Sequence, residues 1–286
     1  MTAPGSPEEI PRLHLVTDDE VLAGLVDGGA PSPALEAVCR AGGSRIALHL
    51  RAPGWDGGRL LRAGLVAAKP AGAHGVRLVV NDRVDVALAL RAAPGVEVFG
   101  VQLGRRSLPP GEVRVLLDDA RGRELAGPDG LARSLLIGQS VGRGGDDDLD
   151  PARAADPAAD FLVVGTLWPT ASHPGRRGTG PRAVGRGFGP QAPPRIGIGG
   201  IDPSRVAPVL TAGGHGVAVL RGVWAEVDPA AAVTRFLQAL DEALGQAPDP
   251  AKDPVQDPAP DPAQDPSPES GSEPDPGTPD EHGGSP

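Results

Sequence analysis

The chain has 286 residues and a net charge of −10, but ten of its acids lie between Gln246 and Pro286 against Lys252 alone, so the remainder is nearly neutral. A near-neutral body with 2% aromatic residues and no tyrosine has neither the stacking platforms nor the electrostatic pull that nucleic-acid binding needs. One cysteine, Cys39, excludes an internal disulfide framework and a cysteine-based structural zinc site, and fits a reducing compartment.

The opening MTAPGSPEEIPRLHL lacks a basic start followed by an apolar core of signal-peptide length. No later apolar run approaches the roughly 18 residues of a membrane span. The expectation is a cytoplasmic, soluble protein with no membrane partner. Residues 10–245 have the length of one large domain, since single α/β barrels run to about 250 residues. Apolar runs of strand length occur at Leu13–Val16, Ile46–Leu50, Val76–Val80, Val98–Leu103, Leu135–Ile137, Phe161–Val164, Arg195–Ile198 and Val217–Leu220. Between them lie segments of helical spacing, such as Leu60-Leu61-Leu65, Val84-Leu88, Val206-Val209-Leu210 and Val233-Phe236-Leu237-Leu240. Strand–helix alternation over eight units predicts a single (β/α)8 TIM barrel, with a doubly wound open sheet as the rival. Residues 246–286 repeat Asp-Pro every four positions from Asp249 to Asp265. Such a segment cannot offset its ordering entropy by burial, so a disordered acidic, Pro-rich tail is expected, whether solubilising or a spacer for an unknown partner.

In a barrel the reacting groups come from strand C-terminal ends and the loops after them. That rule singles out Thr17 and Asp18, Arg51, Asn81 and Asp82, Gln102 and Ser107, Ser140, and Thr170. Each is equally suited to capping the helix that follows, Asp82 above all. The segment GIGGID, residues 197–202, ends the seventh strand beside GVAVLRG, residues 216–222. Two glycine-bearing ends side by side point to a phosphorylated ligand held on backbone N–H groups, with tight packing as the alternative. The loop PTASHPGRRGTGPR, residues 169–182, carries Arg176, Arg177 and Arg182 and reads as a cationic lid or as a solvated loop. Asp146, Asp147 and Asp148 read as a solvated run or as favourable charge at a helix N-terminus.

These segments, taken together, resemble the thiamine phosphate synthase/TenI family over nearly all of residues 12–240. LHLVTDD resembles its first strand, LVVNDRVDVAL its third, GVQLGRRSLP its fourth, LLIGQSV its fifth, DFLVVGTLWPT its sixth, IGIGGI its seventh and GVAVLRGVW its eighth. The resemblance implies a TIM barrel acting on phosphorylated thiamine precursors. The synthase joins a pyrimidine diphosphate to a thiazole phosphate with Mg²⁺ and releases diphosphate, whereas the TenI branch isomerises a thiazole carboxylate phosphate and requires no cofactor.

Carried over position by position, the resemblance implies catalytic roles for His49, Arg51, Asn81 and His173. It implies substrate and phosphate contacts from Gln102, Ser140, Thr170, Ser172, Gly199, Gly200, Arg221 and Gly222, and metal binding by Asp82. Several positions depart from the synthase pattern. The second-strand Gln, Arg and Lys appear as His49, Arg51 and Pro53, and the second metal carboxylate appears as Ser107. The lysine after the sixth strand becomes His173, and Arg221 stands where a phosphate-binding serine would be. Gln102 and Ser107 lean toward TenI-like isomerisation, although that branch's catalytic histidine falls on Gly142. His49 and His173 are the ionisable groups suited to proton transfer, with a satisfied interior histidine and an exposed loop histidine as the alternatives. His14, His74 and His215 carry little functional weight, and the scattered spacing supports no metal cluster. The sequence therefore leads with a TenI-like isomerase, followed by a synthase and a non-catalytic phosphate binder.

Removing residues 246–286 is expected to leave the melting temperature nearly unchanged. A calorimetric loss of several degrees would show that the tail contributes to the fold.

Overall fold

Short runs rich in Val, Leu and Ile suit strands buried on both faces, and eight of them pair in chain order. In a computed structural model, which describes residues 9–122, 135–142, 154–170, 175 and 177–245, they form a closed parallel barrel. The strands are β1 (Leu13–Val16), β2 (Ile46–Leu50), β3 (Arg77–Asn81), β4 (Gly100–Leu103), β5 (Leu136–Val141), β6 (Phe161–Gly165), β7 (Arg195–Ile198) and β8 (Gly216–Val219). β8 closes on β1, pairing Val217 with Leu13 and Val219 with Leu15. The open-sheet alternative is thereby set aside.

Successive side chains of a strand point to opposite faces, so each strand divides into an outward and an inward set. Leu13, Leu15, Ile46, Leu48, Leu50, Leu78, Val80, Val101 and Leu103 join the helical residues in one large core. Each such buried side chain contributes about 1.5–3 kcal/mol. Val16, Leu136, Phe161, Val163, Ile196 and Ala218 form a second, smaller cluster within the barrel. The interior is narrow and the chain has few large aromatics to fill it. A Cβ at Gly138 would lie 2.3 Å from the Phe161 ring, so glycine there makes room for it.

The helices are α1 (Asp19–Leu25), α2 (Pro33–Gly42), α3 (Gly57–His74), α4 (Val84–Arg91), α5 (Pro110–Gly122), α6 (Val206–Thr211), α7 (Arg221–Trp224) and α8 (Pro229–Gly245). Asp18, Ser32 and Asp56 start α1, α2 and α3 by accepting a backbone N–H on the side chain. The alternation is looser than the sequence pattern predicts. Two helices separate β1 from β2, and among the described residues the β6–β7 connection holds only the 3₁₀ turn Pro181–Val184. β4 begins at Gly100 rather than Val98, and β5 runs on to Val141, so Gln102 and Ser140 lie within strands rather than after them. On α3, Leu65 is exposed and Leu60 is buried. On α4 Val86, Ala87 and Leu90 are fully buried, and Val84 and Leu88 pack half-buried against the same core. Among the described residues no helix is long and apolar enough to cross a membrane. Asp146–Asp148, Ser172, His173, Arg176 and the segment 246–286 lie outside the described residues.

Thr17 fastens the tops of β1 and β2. Its buried hydroxyl lies 3.0 Å from both His49 O and Arg51 O and accepts the Arg51 N–H at 2.9 Å. Thr17→Val keeps the shape but strands that N–H, so denaturant unfolding is expected to show a loss of about 1–3 kcal/mol.

Candidate functional site

The C-terminal ends of the strands surround an open cleft of about 1300 Å³. Strand parity decides which side chains reach it. His49 on β2, Asn81 on β3, Gln102 on β4 and Ser140 on β5 all belong to inward sets and line the cleft. The register brings them together: Asn81 pairs with Gln102 and Gln102 with Gly138, two residues before Ser140. Arg51, Asp82, Ser107, Thr170, Gly199 and Gly200 line it from the loops, and Arg221 and Gly222 from the start of α7. Every described residue to which the resemblance gives a role therefore converges, whereas Thr17, also singled out by its place after β1, is buried against the β2 backbone and does not line the cleft.

Asp82 has φ of +63°, a conformation uncommon for a residue with a side chain. The turn it makes is closed by Arg83 N–H donating to Asn81 O at 2.7 Å. The turned carboxylate accepts Gly104 N–H at 2.8 Å and Ser107 Oγ–H at 2.6 Å, both on Oδ1. Asp82 therefore does not cap α4, whose first turn begins after Arg83 without a side-chain cap. It ties the β3 end to the loop after β4. Asp18, by contrast, is a cap as well as a cleft residue.

Gly199 and Gly200 have φ of +102° and +63°, and the loop after β6 presses against both. A Cβ on Gly200 would sit 2.7 Å from Pro169 O, and one on Gly199 2.5 Å from Thr166 Cγ2. Backbone rather than side chains therefore forms this wall of the cleft. Gly142 is similarly closed, since a Cβ there would lie 2.0 Å from Gly165 O. A histidine at that position does not fit this backbone.

Gln102 is buried, donates from Nε2 to Ser140 Oγ at 3.0 Å, and leaves Oε1 without a partner. His49 is buried too, with Nε2 2.8 Å from His14 Nδ1 and Nδ1 3.0 Å from Asn81 Oδ1. Burial lowers the His49 pKa to about 4, and it holds His14 well below its ordinary value, helped by the charge His49 would carry. His14, which sequence spacing left aside, is thus the direct neighbour of a cleft residue. Arg105, Arg106 and Trp55 also line the cleft and were missed, because nothing in the local pattern separates them from solvated loop residues. Arg177 and Arg182 are exposed and do not line the cleft, and Arg176 lies outside the described residues. Lys69 is exposed on α3.

The architecture is that of a (β/α)8 barrel with a polar, arginine-rimmed cleft at the strand C-terminal ends, where such barrels carry their active sites. A family model described as thiamine monophosphate synthase matches residues 13–122 and 126–223, and the chain belongs to that family. It is 34% identical over 229 residues to the thiamine-phosphate synthase of Laribacter hongkongensis, covering 80% of this chain and 94% of that one. With the thiamine-phosphate synthase of Acidothermus cellulolyticus it shares 33% identity over 238 residues, 81% of this chain and 96% of that one. It is 37% identical over 224 residues, 78% of this chain, to the thiamine biosynthesis bifunctional protein ThiM/ThiE of Symbiobacterium thermophilum, and spans 41% of that longer protein. Among solved structures, a thiamine phosphate pyrophosphorylase from Pyrococcus furiosus has the same fold, with a TM-score of 0.59 and 24% identity over 82% of this chain and 97% of that chain. These relatives carry the synthase name, so the expected closeness to the TenI branch gains no support from them.

The buried histidines set a pH dependence. Folding depresses the His49 pKa from 6.5 to about 4, so its neutral form is the stable one in the fold. The stabilisation is complete above about 6.5 and is lost as pH falls toward 4, amounting to about 3 kcal/mol for His49. Urea unfolding at pH 7 and pH 4 is expected to show this loss, and His49→Gln to reduce it.

Proposed function

We propose that the chain is a thiamine phosphate synthase, joining a pyrimidine diphosphate to a thiazole phosphate with release of diphosphate. The observation that carries the reading is the convergence of Asn81, Asp82, Ser140, Thr170 and the Gly199–Gly200 wall on one cleft, in a chain whose relatives bear that name. TenI-like isomerisation, the reading that Gln102 and Ser107 favour in the sequence, loses ground because Gly142 has no room for that branch's histidine.

The reaction breaks the bond between the pyrimidine methylene and the diphosphate oxygen, whose electron pair leaves with diphosphate. A new carbon–nitrogen bond forms to the thiazole. Positive charge grows on the methylene and negative charge on the leaving group, so fixed cations around that group lower the barrier. The family's two lysines are absent, and Arg51, Arg105, Arg106 and Arg221 supply cations around the same cleft. Guanidinium groups suit this task because they stay charged and grip phosphate oxygens in pairs. The Gly199–Gly200 wall with Arg221 and Gly222 takes the thiazole phosphate, while Asn81, Gln102 and Ser140 orient the rings. At neutral pH His49 is uncharged, and its role is to hold and position rather than to deliver a proton.

Mg²⁺ usually keeps several waters and binds through one or two carboxylates plus substrate phosphates. Among the described residues no group of three or more His, Cys, Asp or Glu side chains is arranged to hold a metal alone. Asp82 with the Ser107 hydroxyl, 2.6 Å apart, fits a metal that arrives on the diphosphate. When bound it would neutralise leaving-group charge. His173 and Ser172 keep the roles the resemblance implies, His173 as a catalytic group and Ser172 as a substrate or phosphate contact.

Purified full-length protein, given both substrates and Mg²⁺, is expected to form thiamine phosphate at about 1 per second or faster. Asp82→Ala should lower kcat/KM by about 100-fold and Ser107→Asp should strengthen the Mg²⁺ dependence. Gly200→Val should block phosphate binding in calorimetry. Thiazole isomerisation without any coupling would replace this reading with the isomerase.

A further inference from the structure

The floor of the cleft holds a chain of hydrogen bonds whose direction can be deduced from its buried end. His14 Nε2 lies 2.9 Å from Pro11 O, and a backbone carbonyl can only accept. That nitrogen therefore carries the proton, and a neutral His14 turns a bare Nδ1 toward His49 Nε2, 2.8 Å away. His49 must then donate from Nε2, which leaves its own Nδ1 bare. Facing that nitrogen at 3.0 Å is the side-chain amide of Asn81, placed with Oδ1 toward the ring. Two bare acceptors do not attract. Either one of the two rings is an imidazolium or the amide is turned so that its NH₂ donates.

Geometry favours the second state. Both rings are buried inside the barrel, His14 0% and His49 1% exposed, and their centroids are 5.0 Å apart. The other side of His14 is the Phe161 ring, 5.6 Å away. Among the described residues no carboxylate contacts either ring, and a positive charge enclosed among Phe161, Val16 and a second imidazole would lack a counter-ion. The lowered pKa values agree with this.

We infer that His14 is a positioning residue: through His49 it turns the Asn81 amide so that the carbonyl oxygen is presented to the cleft, as an acceptor for an N–H donor on the bound ligand. Under the synthase reading, on which the ligand's identity rests, that donor is the exocyclic amino group of an aminopyrimidine diphosphate. The buried dyad thereby sets the hydrogen-bonding sense of a residue it does not expose to the ligand. A ring bearing an acceptor at that position would meet the Asn81 oxygen and be rejected.

The test begins with the full-length, ligand-free protein labelled with ¹⁵N-histidine. Nitrogen–proton correlation spectra at pH 7 are expected to show both His14 and His49 neutral and protonated on Nε2. A proton on His49 Nδ1, or on both its nitrogens, would overturn the inference. Calorimetry follows, with the aminopyrimidine diphosphate and an analogue carrying methyl in place of amino as probes. His14→Leu should move the His49 proton to Nδ1 and weaken the amino compound about tenfold, while His14→Gln, which can both accept and donate, should stay within about twofold of the parent. The methyl analogue should not distinguish the three proteins. Equal losses in the Leu and Gln variants, or an equal loss for the methyl analogue, would mean that His14 is merely structural. If His14→Leu does not fold, the parent spectra and the His14→Gln affinities decide the matter. Absence of thiamine phosphate formation alongside the expected tautomers would count against the synthase reading and leave the relay standing.

Discussion

Closure of eight parallel strands leaves a single narrow interior, and every second residue of each strand must fill it. In this chain small residues occupy much of that space, with Ala47, Gly100, Gly138, Gly216 and Ala218 in inward sets. Phe161 and the two imidazoles take up the room they leave. The same parity sends His49, Asn81, Gln102 and Ser140 to the upper end of the barrel, where they meet at the cleft floor. A shift of one residue in any of those strands would exchange an inward polar group for an outward leucine or valine. The site therefore depends on the register that the outer hydrophobic layer enforces.

A dry interior favours polar groups that are paired and uncharged, and of the buried groups at the cleft floor only Gln102 Oε1, among the described residues, is left without a partner. Thr17 shares its hydroxyl between two backbone carbonyls, and His14 and His49 satisfy one another as neutral rings. The charged residues of the cleft lie at its rim. Asp82 stands there in a turned conformation, with Gly104 N–H and Ser107 Oγ–H bound to it, and Arg51, Arg105, Arg106 and Arg221 surround the opening. Cations held at the mouth of a low-dielectric cavity act on a phosphorylated ligand more strongly than they would in open water.

The scaffold and the rim have different tolerances. Strand positions answer to packing from both sides, whereas loop positions answer to little but the ligand. This explains how the chain can belong to the thiamine monophosphate synthase family over all eight strands and still differ at individual rim residues. Proline at 53, serine at 107 and arginine at 221 all sit in loops or just after strands, and none of them disturbs the barrel. Gly142 behaves differently, since a side chain there would meet the Gly165 carbonyl and require the backbone to shift.

By itself the sequence located the eight strands and the residues at their ends, because apolar periodicity is a local property. It also showed the absence of lysine near the site. Tertiary structure decided the rest. Whether Asp82 capped a helix or faced the cleft depended on a backbone torsion and on a loop 22 residues away. The partnership of His14 with His49 depended on the pairing of β1 with β2, which sets residues 35 apart side by side. Arg105 and Arg106 became cleft residues only when the loop after β4 folded over the opening. Contacts between distant segments arise from closure and register, and no local pattern encodes them.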